Sequence, residues 1–270
     1  TELFNNNNFD KLKLINKLWM KNNKVYNVIK YDKAYLTYDM VESIGKWRSV
    51  ILSNNKIVVF SPPKSLNVDQ FISKYNEQEC IAEEFIEGTM INLFYDKDIE
   101  KWEIASKSSV GGNIKYFKEQ PIFSELFYEI CSELNINLEN LCKDYCYSFV
   151  IQHPKNKFVI PIKEKRLYLI ACYKIDNETF KVTEISKYNL NIENVCLPQV
   201  YNFTSYNELY EWFASYKTHP CIMGVMIHHN SGVRTKLRNP NYQYIKELRG
   251  NNTKIQYQYL CLRKLDKVKE

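Results

Sequence analysis

AEEFIEGTMINLFYD, residues 82–96, reads as two short β-rich runs joined through Phe85-Ile86-Glu87-Gly88. An acidic residue followed by glycine is turn chemistry, because glycine supplies backbone angles that other residues resist. The run after it, rich in β-branched and aromatic residues, has the composition of a strand. A strand, a tight turn and a second strand make an antiparallel unit, and the neighbouring segments extend the same pattern.

Upstream, VYNVIK, WRSVIL and KIVVF between Lys24 and Phe60 read as strands, with Ser53-Asn54-Asn55 as a hairpin turn and Ser61-Pro62-Pro63-Lys64 ending the regular structure. FDKLKLINKLWM, Phe9 to Met20, places Phe9, Leu12, Ile15, Leu18 and Trp19 at helical spacing, which predicts an opening helix capped by Asn8 or Asp10. Downstream, FSELFYEICSEL carries Phe123, Leu126, Phe127, Ile130, Cys131 and Leu134 on one stripe, an amphipathic helix entered after Pro121. CYSFVIQ, KFVIPI and LYLIACYKI predict further strands, the first two flanking His153-Pro154-Lys155-Asn156.

Ser205 and Glu208 form a capping box before LYEWF, whose apolar stripe places Trp212 in the core. CIMGVMI and VRTKL pair around Asn230-Ser231-Gly232, and Asn239-Pro240 starts a helix that ends at Gly250. The last segment is expected to pack through Ile255, Tyr259, Leu260 and Leu262. Strands joined by short turns, without βαβ alternation, define an α+β fold of antiparallel sheets flanked by helices. Residues 1–75 read as the N-terminal part of the fold or a subdomain, and 76–270 as its core, within one continuous domain.

The bulk properties exclude several classes. Of 270 residues, 45% are hydrophobic and 25% charged, globular values that leave disorder to the Asn5–Asn8 run. No apolar run has the length of a membrane span, and the first residues lack the order of a secretory signal. The expectation is a soluble, cytoplasmic protein without a membrane partner. The eight cysteines lie in hydrophobic stretches and read as reduced core residues. Cys142, Cys146 and His153, or His219-Pro220-Cys221 with His228-His229, lack the paired spacing of a zinc module. SSVGGN has no Lys-Ser/Thr after it, so a P-loop is not supported. A net charge of +6 allows an anionic partner.

The order of these segments resembles the RNA ligase branch of the covalent nucleotidyltransferases, the superfamily of DNA ligases, RNA ligases and mRNA capping guanylyltransferases, over roughly residues 30–250. The family's Lys-x-Asp-Gly motif aligns with Phe85-Ile86-Glu87-Gly88. WRSVILSNNKIVVFSPPKSLN supplies Arg48 and Lys64 where the family grips triphosphate, and WEIASKSSVGGN supplies Lys107. The Phe-Glu strand of the family is similar to YSFVIQHPKNKFV, with Val150 for glutamate, and its Glu-Gly motif to Met223-Gly224. The final Lys-x-Lys looks like Lys236-Leu237-Arg238.

The resemblance implies a nucleotidyltransferase fold, that of a ligase adenylation domain, and a lost reaction. The family's lysine attacks an α-phosphate, and phenylalanine has no lone pair to offer. Val150 and Met223 cannot hold the ribose or the divalent metal that the glutamates serve. Arg234, Lys236 and Arg238, by contrast, alternate along a strand and share a face able to meet phosphates. Phe85 would stack on a purine, Glu87 would accept from a guanine edge, and Trp47 is the better placed of the tryptophans for a ligand contact.

The expected protein is an inactive RNA ligase-like binder of RNA, at a 5′ end or mRNA cap, with a purine nucleotide in the old pocket and no cofactor. One alternative is an active ligase or capping-type enzyme using Mg²⁺ and a relocated nucleophile, Lys74 or Lys97. Another is a scaffold for protein partners. Heavy use of Asn, Lys, Ile and Tyr matches AT-rich genomes, those of large DNA viruses among them.

Overall fold

The computed structural model of the protein describes residues 12–115, 120–156, 158–250 and 255–268. Its first four strands, β1 (Leu14–Lys21), β2 (Lys24–Tyr31), β3 (Val50–Ser53) and β4 (Lys56–Phe60), form an antiparallel meander in that order. A short helix, α1 (Val68–Ile72), leads into β5 (Cys80–Glu84). Then come β6 (Thr89–Asp96), β7 (Lys101–Ser106), β8 (Ser109–Val110), α2 (Phe123–Glu133), β9 (Tyr145–Gln152), β10 (Arg166–Asp176) and β11 (Lys181–Ile185). The chain continues through β12 (Val200–Tyr201), α3 (Tyr206–Phe213), β13 (Gly224–His229), β14 (Arg234–Arg238), α4 (Pro240–Arg249) and α5 (Ile255–Lys264).

A six-stranded sheet runs β11-β10-β9-β6-β7-β8, and a four-stranded one runs β12-β5-β13-β14. The two strands of the opening stretch therefore belong to different sheets, and residues 85–88 carry the chain from one to the other. The α2 stripe buries Leu126, Phe127 and Ile130 against Ile91, Phe149 and Leu169 of the six-stranded sheet. Ala82, Val225, Ile227 and Leu237 cover Phe71 of α1 and Leu209 and Phe213 of α3 in the same way. Strand alternation then turns Glu83, Met226, His228, Arg234 and Lys236 to the other face of that sheet, into the space beside the larger one.

Five expectations change. Residues 14–20 are not helical: they form β1, paired residue by residue with β2 from Leu14↔Tyr31 to Lys21↔Lys24. Asn22 (φ 48°) and Asn23 (φ 62°) make the left-handed two-residue turn that asparagine favours, and this turn chemistry overrides the apparent helical period. Residues 9–11 of that segment lie outside the described residues. Of KFVIPI, Lys157 lies outside the described residues and residues 158–162 form no strand, because the amides of Val159 and Ile160 donate to the Glu87 carboxylate (3.2 and 2.8 Å) instead of to a ladder. Trp212 is 45% exposed rather than core. Tyr259 and Leu260 of α5 are likewise exposed. All eight cysteines are free thiols, but only Cys131, Cys146 and Cys172 are fully buried. Among the described residues no helix is long and apolar enough to cross a membrane.

Phe127→Ala should cost about 3–5 kcal/mol of stability, because the ring is fully enclosed between α2 and the sheet. Trp212→Ala should cost under about 1 kcal/mol. Urea unfolding of both variants checks the two placements together.

Candidate nucleotide- and RNA-binding cleft

The space between the two sheets is a cavity of about 530 Å³. One part is apolar, where Ile86, Met90, Val150 and Ile170 pack together next to Phe85, while Met226 stands opposite Lys236 in the sheet and Glu83 and Glu84 also line the space. The other part is basic: Lys33, Arg48, Lys64, Lys107, Arg234 and Lys236 reach it from five separate segments of the chain. Among the described residues none of these six cations has a carboxylate within ion-pair distance, whereas elsewhere lysines such as Lys24, Lys74 and Lys165 are paired.

The basic end is held by backbone. Arg234 is 6% exposed, and its guanidinium donates to Pro62 O (3.2 Å) and Pro63 O (2.9 and 2.6 Å). Arg48 reaches the Pro62 carbonyl at 3.5 Å. Consecutive prolines break regular structure and leave their carbonyls for side-chain donors, which is how Ser61-Pro62-Pro63-Lys64 serves the site. The Lys107 ammonium lies 4.9 Å from the centroid of the Tyr31 ring. Burial, then repulsion from neighbouring cations, pulls the lysines down: Lys107 to about 8, with Arg48, Lys33, Lys30 and Lys64 contributing, and Lys236 to about 8, with Arg238, Lys64, Arg48 and Arg234 contributing. Arg234 falls to about 10 through burial and Arg48. Like charges crowded without counter-ions form a site for an anion.

The sequence-derived site residues separate into two groups. Phe85, Arg48, Lys64, Lys107, Arg234 and Lys236 meet in the cleft. Arg238 turns to its edge, where its guanidinium lies 5.7 Å from the Phe85 ring centroid and donates to Gln243 (2.9 Å). Trp47 lines a different cavity behind the Arg234 wall, with Phe60 and Tyr173. Glu87 is 4% exposed and faces protein: besides the amides of Val159 and Ile160 it accepts from the Tyr242 hydroxyl (2.5 Å), which leaves it badly placed to read a base edge. Lys74 and Lys97 lie outside the cleft, on exposed pairs with Glu42 and Asp144.

Gly88 (φ 152°) is fixed by space, since a β-carbon there would stand 2.3 Å from the Ile151 carbonyl oxygen. Missed from the sequence was a buried cluster on the cleft wall. Glu83, 4% exposed, accepts from Lys187 (2.7 Å) and from the Tyr188 hydroxyl, with His228 Nε2 at 3.5 Å. The alternation of Glu83 and Phe85 along the strand was its only signal. Among the described residues no three His, Cys, Asp or Glu side chains gather as a metal site.

Two antiparallel sheets enclosing a basic cleft, entered through a strand–turn–strand, define the covalent nucleotidyltransferase fold of the ATP-dependent ligases. Solved structures agree on that fold. An Aquifex aeolicus chain assigned as an ATP-dependent DNA ligase superposes with a TM-score of 0.57 at 15% identity, over 89% of this chain and 63% of that one. An archaeal ATP-dependent RNA ligase gives 0.51 at 11% identity, over 90% and 62%. No family model matches the chain.

Among curated proteins, the immediate-early protein ICP-46 homolog of Invertebrate iridescent virus 3 is 24% identical over 193 residues, which are 69% of this chain and 40% of that protein. The RNA ligase of Rhodothermus phage RM378 is 30% identical over 104 residues, 35% of this chain and 23% of that one. The chain thus spans less than half the length of either curated relative.

Two outcomes follow from this geometry. The depressed lysines make the folded protein bind fewer protons than the unfolded chain between roughly pH 8 and pH 10, so without an anion its stability rises with pH across that window. Lys107→Met with Lys236→Met should flatten that rise in thermal melts. Glu87→Ala strands two amides and a buried hydroxyl and should cost about 2–4 kcal/mol in urea unfolding.

Proposed function

We propose that the protein binds a phosphorylated 5′ end of RNA in this cleft and does not join nucleotides to itself. The observation that carries the reading is a set of six cations that, among the described residues, have no carboxylate within ion-pair distance and that line one cavity with an apolar patch: phosphates suit the cations and a base the patch. Phe85 stands in the cavity where the resemblance expects the nucleophilic lysine, and Val150 lines the same cavity. The ligase fold and the viral relatives are consistent with an RNA partner.

An unmodified 5′ end fits this cleft better than a methylated cap base. A cap carries a positive charge on its base, and Arg238 already lies over the Phe85 ring that would receive it. An active enzyme remains the rival reading for one reason. Lys107 and Lys236, held near 8, are partly neutral amines at the cleft.

Incubation with radioactive ATP or GTP in Mg²⁺ or Mn²⁺ separates these readings. The expected result is no covalent label, and a labelled lysine overturns inactivity. Fluorescence anisotropy should rank 5′-triphosphate RNA above capped and 5′-hydroxyl RNA. Lys236→Ala should weaken the triphosphate RNA about tenfold and make the log–log salt dependence shallower by about 0.7, the loss of one phosphate contact. Equal affinity for all three ends, with a salt-independent constant, defeats the proposal.

A further inference from the structure

His228 sits on β13, one residue from the start of the tight turn into β14, and its ring lines the cleft. Its surroundings fix its chemistry. Glu83 on the neighbouring strand puts Oε2 3.5 Å from Nε2, and that carboxylate is itself anchored by Lys187, whose ammonium also donates to Ile170 O (3.0 Å), and by the Tyr188 hydroxyl. A carboxylate beside Nε2 favours the proton on that nitrogen. Burial drives His228 down to about 4, against the pull of Glu83, so the ring is neutral at ordinary pH. Among the described residues Nδ1 has no hydrogen-bond partner, and the side chain keeps 23% of its exposure. Tyr31, Ser65, Glu83 and Glu84 line the same space beside the cations and apolar groups, and Nδ1 is its neutral imidazole acceptor.

We propose that His228 is a specificity-determining residue, held by Glu83 so that Nδ1 accepts a hydrogen bond from a neutral donor on the nucleoside, either a ribose hydroxyl or an exocyclic amine. This rests on the nucleotide-binding reading of the cleft. The cations cannot supply the contact, since ammonium and guanidinium groups only donate. Glu83 cannot readily supply it either, because Lys187 and Tyr188 occupy its oxygens. A site that holds a buried acceptor for one donor rejects the analogue lacking it, because the acceptor is then left unpaired.

Calorimetric titration tests this with inorganic tripolyphosphate, ATP, GTP, their 2′-deoxy forms, inosine triphosphate and purine riboside triphosphate. In the wild type, removing either the 2′-hydroxyl or the exocyclic amine should cost about fivefold to tenfold. His228→Ala should abolish that preference while leaving tripolyphosphate affinity unchanged, which reports an intact basic end. His228→Asn, whose side-chain oxygen can stand where Nδ1 stood, should restore it; a merely structural histidine would not be rescued in this selective way.

The inference falls if His228→Ala weakens every probe alike, if the asparagine variant discriminates no better than alanine, or if the wild type shows no preference. In each of these cases tripolyphosphate binding still upholds the anion cleft. Failure of the wild type to bind tripolyphosphate and every nucleotide overturns the cleft reading and this inference together.

Discussion

The chain passes from one sheet to another within the four residues 85–88, and much of the architecture depends on that crossing. β5 ends in the four-stranded sheet and β6 begins in the six-stranded one, so the turn sets how the walls of the cleft stand to each other. Gly88 is squeezed against the Ile151 carbonyl and tolerates no side chain. Glu87 locks the same turn from behind, drawing residues 159–160 and Tyr242 of α4 onto one carboxylate. An acid–glycine pair at this place is thus explained by mechanics.

Electrostatics at the basic end works against folding. Arg48 and Arg234 are pressed together over proline carbonyls, and the nearby lysines give up part of their affinity for protons. Carbonyl dipoles satisfy the guanidinium donors without neutralising them. A pocket built this way keeps a positive potential that ion-paired carboxylates would have cancelled.

Much of this was legible before any coordinates. Strands with turn residues between them, the α2 stripe and the Ser205 cap are local signals, and each formed. Arg234 and Lys236 were legible because strand alternation reports facing direction, and Arg48, Lys64 and Lys107 because the order of the family's motifs placed them. The failures share a cause: a long-range partner decided the outcome. Leu12, Ile15 and Leu18 fit a helix until the Asn22-Asn23 turn pairs their strand with β2. Val159 and Ile160 have strand composition, but a carboxylate 72 residues away in sequence claims the Val159 amide. Trp212 lies beside the packed Leu209 and meets the Phe213 ring edge-on, yet it stays 45% exposed. The Glu83–Lys187–His228 cluster joins three distant segments and left no local trace beyond an acid within a strand.

The buried thiols offer a built-in gauge of the seam between the N-terminal meander and the six-stranded sheet. Cys146 on β9 is 1% exposed, lies 3.7 Å from the Phe60 carbonyl of β4, and is pushed up to about 12 by burial. A thiol so placed is inert to alkylating reagents while β4 stays docked, since the reactive species is the thiolate and neither solvent nor reagent reaches it. Its rate of modification therefore clocks the transient parting of those layers, separately from exposed Cys142 and Cys221, which react regardless.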